Sequence, residues 1–340
     1  MLIVATTVAV QFLPLRLSRD ERCVRNLSTT TAVTSVFVQP DDGYAPVLNE
    51  ITNARCTIDI NMYLLSDDVI IGALADAEER GVDVRVILER NPFNTYGSQN
   101  DVFVQLEGLG AEVIWSSGQF QYSHAKYMIV DNQVLVVTNQ NFTGAGFNSN
   151  REFGIVTTDP AFVAQANAVF LADWLREDAV VGITSLIVSP VNARARIIEL
   201  INGAEESVWL YAEVLRDEQF TQALDDAADR GVDVRVIVNP STDDEDVPYF
   251  LDAFDHGVQI RVQEKPYVHA KLIIVDGTKA LVGSQNYSYT SLDRNREIGM
   301  IVDDADSITR LTDVYLSDWV RAYPVDSVAI SCIGSETYDP

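Results

Sequence analysis

The octapeptide Arg80-Gly-Val-Asp-Val-Arg-Val-Ile87 returns unchanged as Arg230-Gly-Val-Asp-Val-Arg-Val-Ile237, 150 residues further along the chain. An identity of that length marks an internal duplication, and a duplicated chain folds as two copies of one unit. Shorter echoes follow at a spacing of 145: Ser123-His-Ala-Lys126 with Val268-His-Ala-Lys271, Asn150-Arg-Glu152 with Asn295-Arg-Glu297, and Asp173-Trp174 with Asp318-Trp319. The loop between the two blocks is therefore five residues shorter in the second copy. Two copies are too few for a solenoid, which needs about three stacked units to bury its faces. Two halves that face each other are expected instead, with a site at their interface drawing side chains from both.

Each copy reads alike. A short apolar strand precedes a proline (Val36 to Val38 before Pro40; Leu186 to Val188 before Pro190). Asp217 is placed to cap a helix whose Phe220, Ala223, Leu224 and Ala227 fall at i, i+3, i+4 and i+7, ending at Gly231, and Val232 to Val238 then alternates as a strand. Asp67 to Gly81 and Val82 to Leu88 repeat that pattern. After a variable loop come two apolar runs around a turn, Tyr127 to Val130 with Val134 to Val137, and Leu272 to Val275 with Ala280 to Val282. Strands alternating with helices predict an α/β fold, each half a mixed β-sheet flanked by helices. The expected boundaries are an N-terminal segment 1–34, halves at 35–180 and 185–325 joined near Ala179 to Thr184, and a C-terminal tail 326–340.

Hydrophobic residues make up 47% of the 340, enough to bury one large core or two ordinary ones. Acidic residues outnumber basic ones 50 to 24, for a formal charge of −26. Lys126, Lys265, Lys271 and Lys279 are the only lysines. Such an Asp-rich, Lys-poor shell suits a high-salt compartment, where counterions screen its self-repulsion, and it weighs against free nucleic acid as a partner of the whole surface. Cys23, Cys56 and Cys332 show no CxxC spacing, so free thiols are expected rather than a disulfide framework or a zinc site. The apolar stretch Met1 to Leu17 lacks a preceding basic residue and a clear cleavage site, which favours a cytoplasmic over a secreted protein.

Two of the three histidines, His124 and His269, sit at corresponding places in the pattern His-x-Lys-x-x-x-x-Asp, completed by Lys126 and Asp131 and by Lys271 and Asp276. A lone histidine beside an apolar strand is usually structural. Two at one register are not easily so, and on a strand residues i and i+2 share a face. Two imidazoles converging on one point suit displacement at phosphorus, which needs a nucleophile on one side and a proton donor for the leaving oxygen on the other. Lysines and asparagines around them would hold the non-bridging oxygens. This chemistry requires no metal and no cofactor. His256, in Asp255-His256-Gly257, has no counterpart and reads as a surface turn residue.

With both motifs in hand, the chain from about 35 to 325 resembles the phospholipase D superfamily, whose members carry the HKD motif twice. The resemblance extends to Asn141 and Asn286, seventeen residues beyond each histidine, and to Glu152 and Glu297, twenty-eight beyond. It implies two phospholipase D-like halves with one shared site, and a catalytic set of His124, Lys126, Asp131, Glu152, His269, Lys271, Asp276 and Glu297. Within that set Glu152 and Glu297 would orient the imidazoles, and Asp131 and Asp276 would mainly brace the turn of the motif. It further implies Asn139, Asn141, Ser284 and Asn286 as substrate-binding residues, with Asn139 a departure at the position that is Ser284 in the second copy. By the same analogy His124 is the nucleophile, through a phosphohistidine, and His269 the acid. Arg151 and Arg296 are either phosphate anchors or internal salt bridges.

The expected activity is metal-independent phospholipase D-type hydrolysis, or transphosphatidylation, of a phospholipid. The alternative is a nuclease of the same superfamily acting on DNA or RNA. Phe93, Tyr96, Phe120, Tyr122, Tyr249, Phe250 and Tyr267 lie in the variable loops, where they form either an apolar mouth for acyl chains or part of the core. Because one chain holds both motifs, a monomer without an obligate protein partner is expected, touching a membrane surface transiently.

Overall fold

The computed structural model describes residues 32–93, 99–241 and 245–325. The first half runs β1 (Thr34–Gln39), α1 (Ala45–Asn53), β2 (Thr57–Met62), α2 (Asp68–Glu79), β3 (Asp83–Leu88), α3 (Asn100–Gly108), β4 (Glu112–Trp115), β5 (Lys126–Val130), β6 (Val134–Thr138), α4 (Gly144–Asn148), β7 (Asn150–Thr157) and α5 (Pro160–Leu175). The second repeats that plan: β8 (Leu186–Ser189), α6 (Ala193–Asn202), β9 (Ser207–Ala212), β10 (Leu215–Arg216), α7 (Glu218–Asp229), β11 (Asp233–Val238), α8 (Val247–Asp255), β12 (Gln259–Val262) and β13 (Tyr267–Val268). It continues through β14 (Leu272–Val275), β15 (Lys279–Gly283), β16 (Tyr287–Ser288), α9 (Tyr289–Asp293), β17 (Glu297–Val302), α10 (Ala305–Arg321) and β18 (Tyr323–Pro324). The helix starts expected at Asp67 and Asp217 are where those side chains cap α2 and α7, accepting from Ile70 N and Phe220 N.

The first sheet has the order β1-β7-β6-β5-β2-β3-β4 and the second β18-β12-β11-β9-β14-β15-β17-β8. Read from the other end, the second sheet matches the first strand for strand, with β18 added. In each, a parallel trio (β2, β3, β4; β9, β11, β12) joins an antiparallel group. The fold is therefore α/β, two pseudo-symmetric halves each built on a mixed sheet flanked by helices.

Alternation along the strands divides the core in three. In β5, Tyr127 and Ile129 face a central cluster shared by both halves, while Met128 and Val130 face the cluster under α1, α2 and α3. In β14, Leu272 and Ile274 join the same central cluster, while Ile273 and Val275 face α6, α7 and α8. Helices α5 and α10 add Val169 and Phe170, and Leu311, Tyr315 and Trp319, to the shared cluster. Burial on both faces explains why these strands read as continuous apolar runs.

The halves are also tied by backbone. β13, just ahead of His269, pairs in parallel with the start of β7, Tyr267 opposite Asn150 and Val268 opposite Arg151. The symmetric bridge joins Ser123, just ahead of His124, to Arg296. Beneath these bridges Arg151 donates to Asp318 of α10 (Nε to Oδ2, 2.7 Å) and to the Gln39 carbonyl. Arg296 donates to Asp173 of α5 (3.0 Å) and to the Ser189 carbonyl. The repeated Asp-Trp pairs thus mark the acids that receive the repeated arginines, each across the interface.

Cys56 is disulfide-bonded, which corrects the expectation of free thiols. No helix among the described residues is long and apolar enough to cross a membrane. The segments 1–31 and 326–340, Tyr96, Cys23 and Cys332 lie outside the described residues.

Candidate active site

His124 and His269 stand at the mouths of β5 and β14, at the seam where each half lends a strand edge to the other. The main-chain amide of His124 donates to the Arg296 carbonyl at 2.8 Å, and that of His269 to the Arg151 carbonyl at 3.4 Å. Because Glu152 and Glu297 come directly after those arginines, the cross-half bridges deliver each glutamate to the histidine of the opposite half. Nδ1 of His124 lies 2.8 Å from Glu297 Oε2, and Nδ1 of His269 lies 2.7 Å from Glu152 Oε1. Neither carboxylate is exposed, whereas the imidazoles keep 12% and 14% of their side-chain surface. A carboxylate beside Nδ1 favours the tautomer whose lone pair is on Nε2.

Lys126 and Lys271 are buried and fold back, each Nζ donating to the carbonyl of its own histidine at 2.8 and 2.6 Å. Burial, with Lys271 nearby, brings Lys126 down to about 7 against the opposing pull of Glu297. Burial also lowers His124, although Glu297 pulls the other way. Burial would raise Glu297, but His124 holds it below the usual carboxylate range; its second oxygen accepts from Ser291 and Asn295.

Beside the histidines the two-fold correspondence breaks after β2 and β9. Residues 63 and 213 follow β2 and β9 at equivalent positions, and one is tyrosine, the other glutamate. Tyr63 presents its ring to His124 edge-on, centroids 4.5 Å apart, and lies beneath Lys126 Nζ at 4.9 Å. Glu213 instead forms an ion pair with Lys271 and sets Oε1 at 3.5 Å from His269 Nε2. Burial would raise Glu213, yet His269 and Lys271 hold it at about 2, so it is ionised throughout the working range. Neither residue emerged from the motif analysis. The signal was available in the repeat alignment, which sets a carboxylate opposite an aromatic one residue past a strand.

Other expected residues fall elsewhere. Asp131 and Asp276 lie at the far ends of β5 and β14 from the histidines and belong to the turns, not to the reacting centre. Each has positive φ (53° and 51°). Asp131 accepts from the amides of Arg55, Cys56 and Thr57, and Asp276 from those of Glu205, Glu206 and Ser207. Asn139 and Ser284 are buried and committed to backbone: Asn139 accepts from Phe153 N and donates to the Lys271 carbonyl, and Ser284 accepts from Ile298 N. Asn141 and Asn286 are half-buried, each with an Oδ1 that has no hydrogen-bond partner. Arg151 and Arg296 are internal salt bridges. Of the loop aromatics, Phe250 is core, Phe93 is 74% exposed, and Tyr122 meets Tyr63 edge-on at 6.1 Å. Among the described residues the group of histidine and carboxylates close enough to hold a metal ion is Asp225, Asp252 and His256, on α7 and the end of α8.

Two imidazoles whose Nδ1 atoms rest on carboxylates of opposite halves, with a lysine turned onto each histidine carbonyl, define a two-histidine class of enzyme acting on phosphodiesters. The chain belongs to the phospholipase D superfamily: the family model described as "Cardiolipin synthase, PLD-like domain" matches it twice, over residues 47–174 and 197–319. It is similar to the cardiolipin synthase of Geobacillus thermodenitrificans, 25% identical over 87% of this chain and 68% of that protein. It is also similar to cardiolipin synthase 2 of Bacillus cereus, 24% identical over 86% and 65%. The chain thus spans about two thirds of the length of these curated relatives. Among solved structures, phosphatidylserine synthase from Haemophilus influenzae superposes with a TM-score of 0.68 at 11% identity, covering 86% of this chain and 87% of that one. Polyphosphate kinase from Porphyromonas gingivalis gives 0.67 at 15%, covering 84% and 50%. At such identities the likeness is one of fold.

Proposed function

We propose that the chain transfers a phosphatidyl group from one alcohol to another, through a phosphohistidine. The observation that carries this reading is the pair of reciprocal His–Glu contacts, each of which takes Nδ1 and leaves Nε2 to a substrate. Similarity to cardiolipin synthases supports a phospholipid donor and transfer rather than hydrolysis. Nε2 of His124 attacks phosphorus; the P–N bond forms, the bond to the leaving alcohol oxygen breaks, and that oxygen takes the proton from Nε2 of His269. His269 then removes the proton of the acceptor hydroxyl, whose oxygen displaces His124. Lys126 and Lys271 offset the charge on the non-bridging oxygens.

The break in symmetry supports this division of labour. An imidazolium has two N–H groups to donate, and His269 faces a carboxylate on each side. His124 faces one carboxylate and an aromatic edge, which suits a neutral ring with a free lone pair.

The deciding experiment is side-by-side assay of the purified chain in high salt, on phospholipid vesicles with an added primary alcohol and on single- and double-stranded DNA, with His269→Ala as the blank. Transfer product that the variant lacks is the expected result. Cleavage of DNA with inert vesicles overturns the lipid reading and makes the protein a nuclease.

A further inference from the structure

Away from the histidine pair, α7 and α8 carry a second constellation. Asp225 and Asp229 lie one turn apart on α7, and Asp252 and His256 have the same spacing at the end of α8. One ligand atom from each of Asp225, Asp252 and His256 lies within 4.8 Å of the other two. Asp225 is 1% exposed, and its Oδ1 is buried with no hydrogen-bond partner. An ionised carboxylate in that position is strongly unfavourable unless a counter-charge reaches it. The first copy avoids the problem: Ala75 stands where the second copy has Asp225, and with Gly110 and Gly257 aligned, Gln105 and Leu109 correspond to Asp252 and His256.

The surroundings point to a cation. The carboxylates of Asp226, Asp229 and Asp252 gather around Asp225, with His256 beside them. Nδ1 of His256 lies 3.2 Å from both carboxylate oxygens of Asp229. Donation from Nδ1 puts the lone pair of the neutral ring on Nε2, the arrangement by which a carboxylate behind a histidine prepares it as a metal ligand.

We propose that Asp225, Asp252 and His256 bind a divalent first-row transition cation such as Zn²⁺, with Asp229 holding the imidazole, and that the ion staples α7 to α8. One nitrogen and two carboxylate oxygens, with Asp252 and His256 exposed and open to water, favour Zn²⁺ over Mg²⁺ or Ca²⁺. The site is independent of the phosphodiester chemistry and belongs to the second half alone.

The test is calorimetric titration of the EDTA-stripped full chain with ZnCl₂, against Asp225→Ala, His256→Ala and, to count binding at the catalytic pair, His124→Ala. One Zn²⁺ per chain is expected, with affinity falling at least about tenfold in the first two variants and unchanged in the third. Saturating Zn²⁺ raises the thermal midpoint of the wild type by several degrees and leaves that of His256→Ala where it was. No uptake at millimolar Zn²⁺, or uptake that survives both Asp225→Ala and His256→Ala, overturns the site.

Discussion

At the residue scale the site rests on contacts that single substitutions isolate. His124→Ala and His269→Ala are each expected to abolish turnover while the circular-dichroism spectrum stays native; substantial activity in either contradicts a shared centre. Glu152→Gln and Glu297→Gln keep the geometry but remove the charge behind each imidazole, and are expected to lower kcat by about 100-fold or more with KM little changed. Lys126 gives a pH signature. Its pKa stands near 7 in the free protein, so it is charged below that value and loses its proton above it. Sulfate, whose own charge is constant in this range, should bind tighter at pH 6 than at pH 8, and a flat profile by calorimetry counts against Lys126 as an anion ligand. The histidines, lysines and glutamates were legible because each occurs twice at one register. Glu213 shows in the sequence only as a mismatch with Tyr63 between the copies; what it meets arises when β9 pairs with β14 and sets residue 213 beside Lys271.

At the element scale the interface is pinned by Arg151 with Asp318 and by Arg296 with Asp173, all four largely buried. Arg151→Ala takes from buried Asp318 its buried cation and leaves it Tyr211 and the more exposed Arg321, so a loss of about 3 kcal/mol, the low end for a broken buried pair, is expected in denaturant unfolding, and a cycle with Asp318→Asn to show coupling. Asp131→Ala tests the turn. It leaves three amides without their acceptor and an alanine at positive φ, so a loss of roughly 1–3 kcal/mol is expected, with kcat per folded molecule nearly unchanged. Strands, helices and their caps were readable from period and from the Asp67 and Asp217 signals. The reason for the repeated Asn-Arg-Glu and Asp-Trp was not, because it lies between halves: the arginine of one copy meets the acid of the other. Asn139 and Ser284 show how a polar residue near such a motif also serves the backbone, a bond that the linear sequence does not reveal.

At the scale of the whole molecule, the charge of −26 is spread over a fold whose site glutamates, lysines and arginines are buried, so most of it is repulsion at the surface. Salt screens such repulsion over a Debye length of about 10 Å at 0.1 M and about 3 Å at 1 M. The thermal midpoint is expected to rise steeply over that range of KCl and flatten beyond it. A midpoint insensitive to KCl would leave the acidity unconnected with salt. Composition gave that expectation directly, while the placement of charge had to await the fold.

The crossing of each glutamate to the opposite histidine also constrains descent. Under the proposed mechanism neither copy could lose its glutamate without disarming its sibling, so the pair would be held together by mutual dependence even as each is free to drift wherever the other does not lean on it. Tyr63 and Glu213 are what such drift looks like: an ancestral symmetric pair would have possessed two interchangeable histidines, and under the proposed mechanism the divergence after β2 and β9 would give the two copies different occupations.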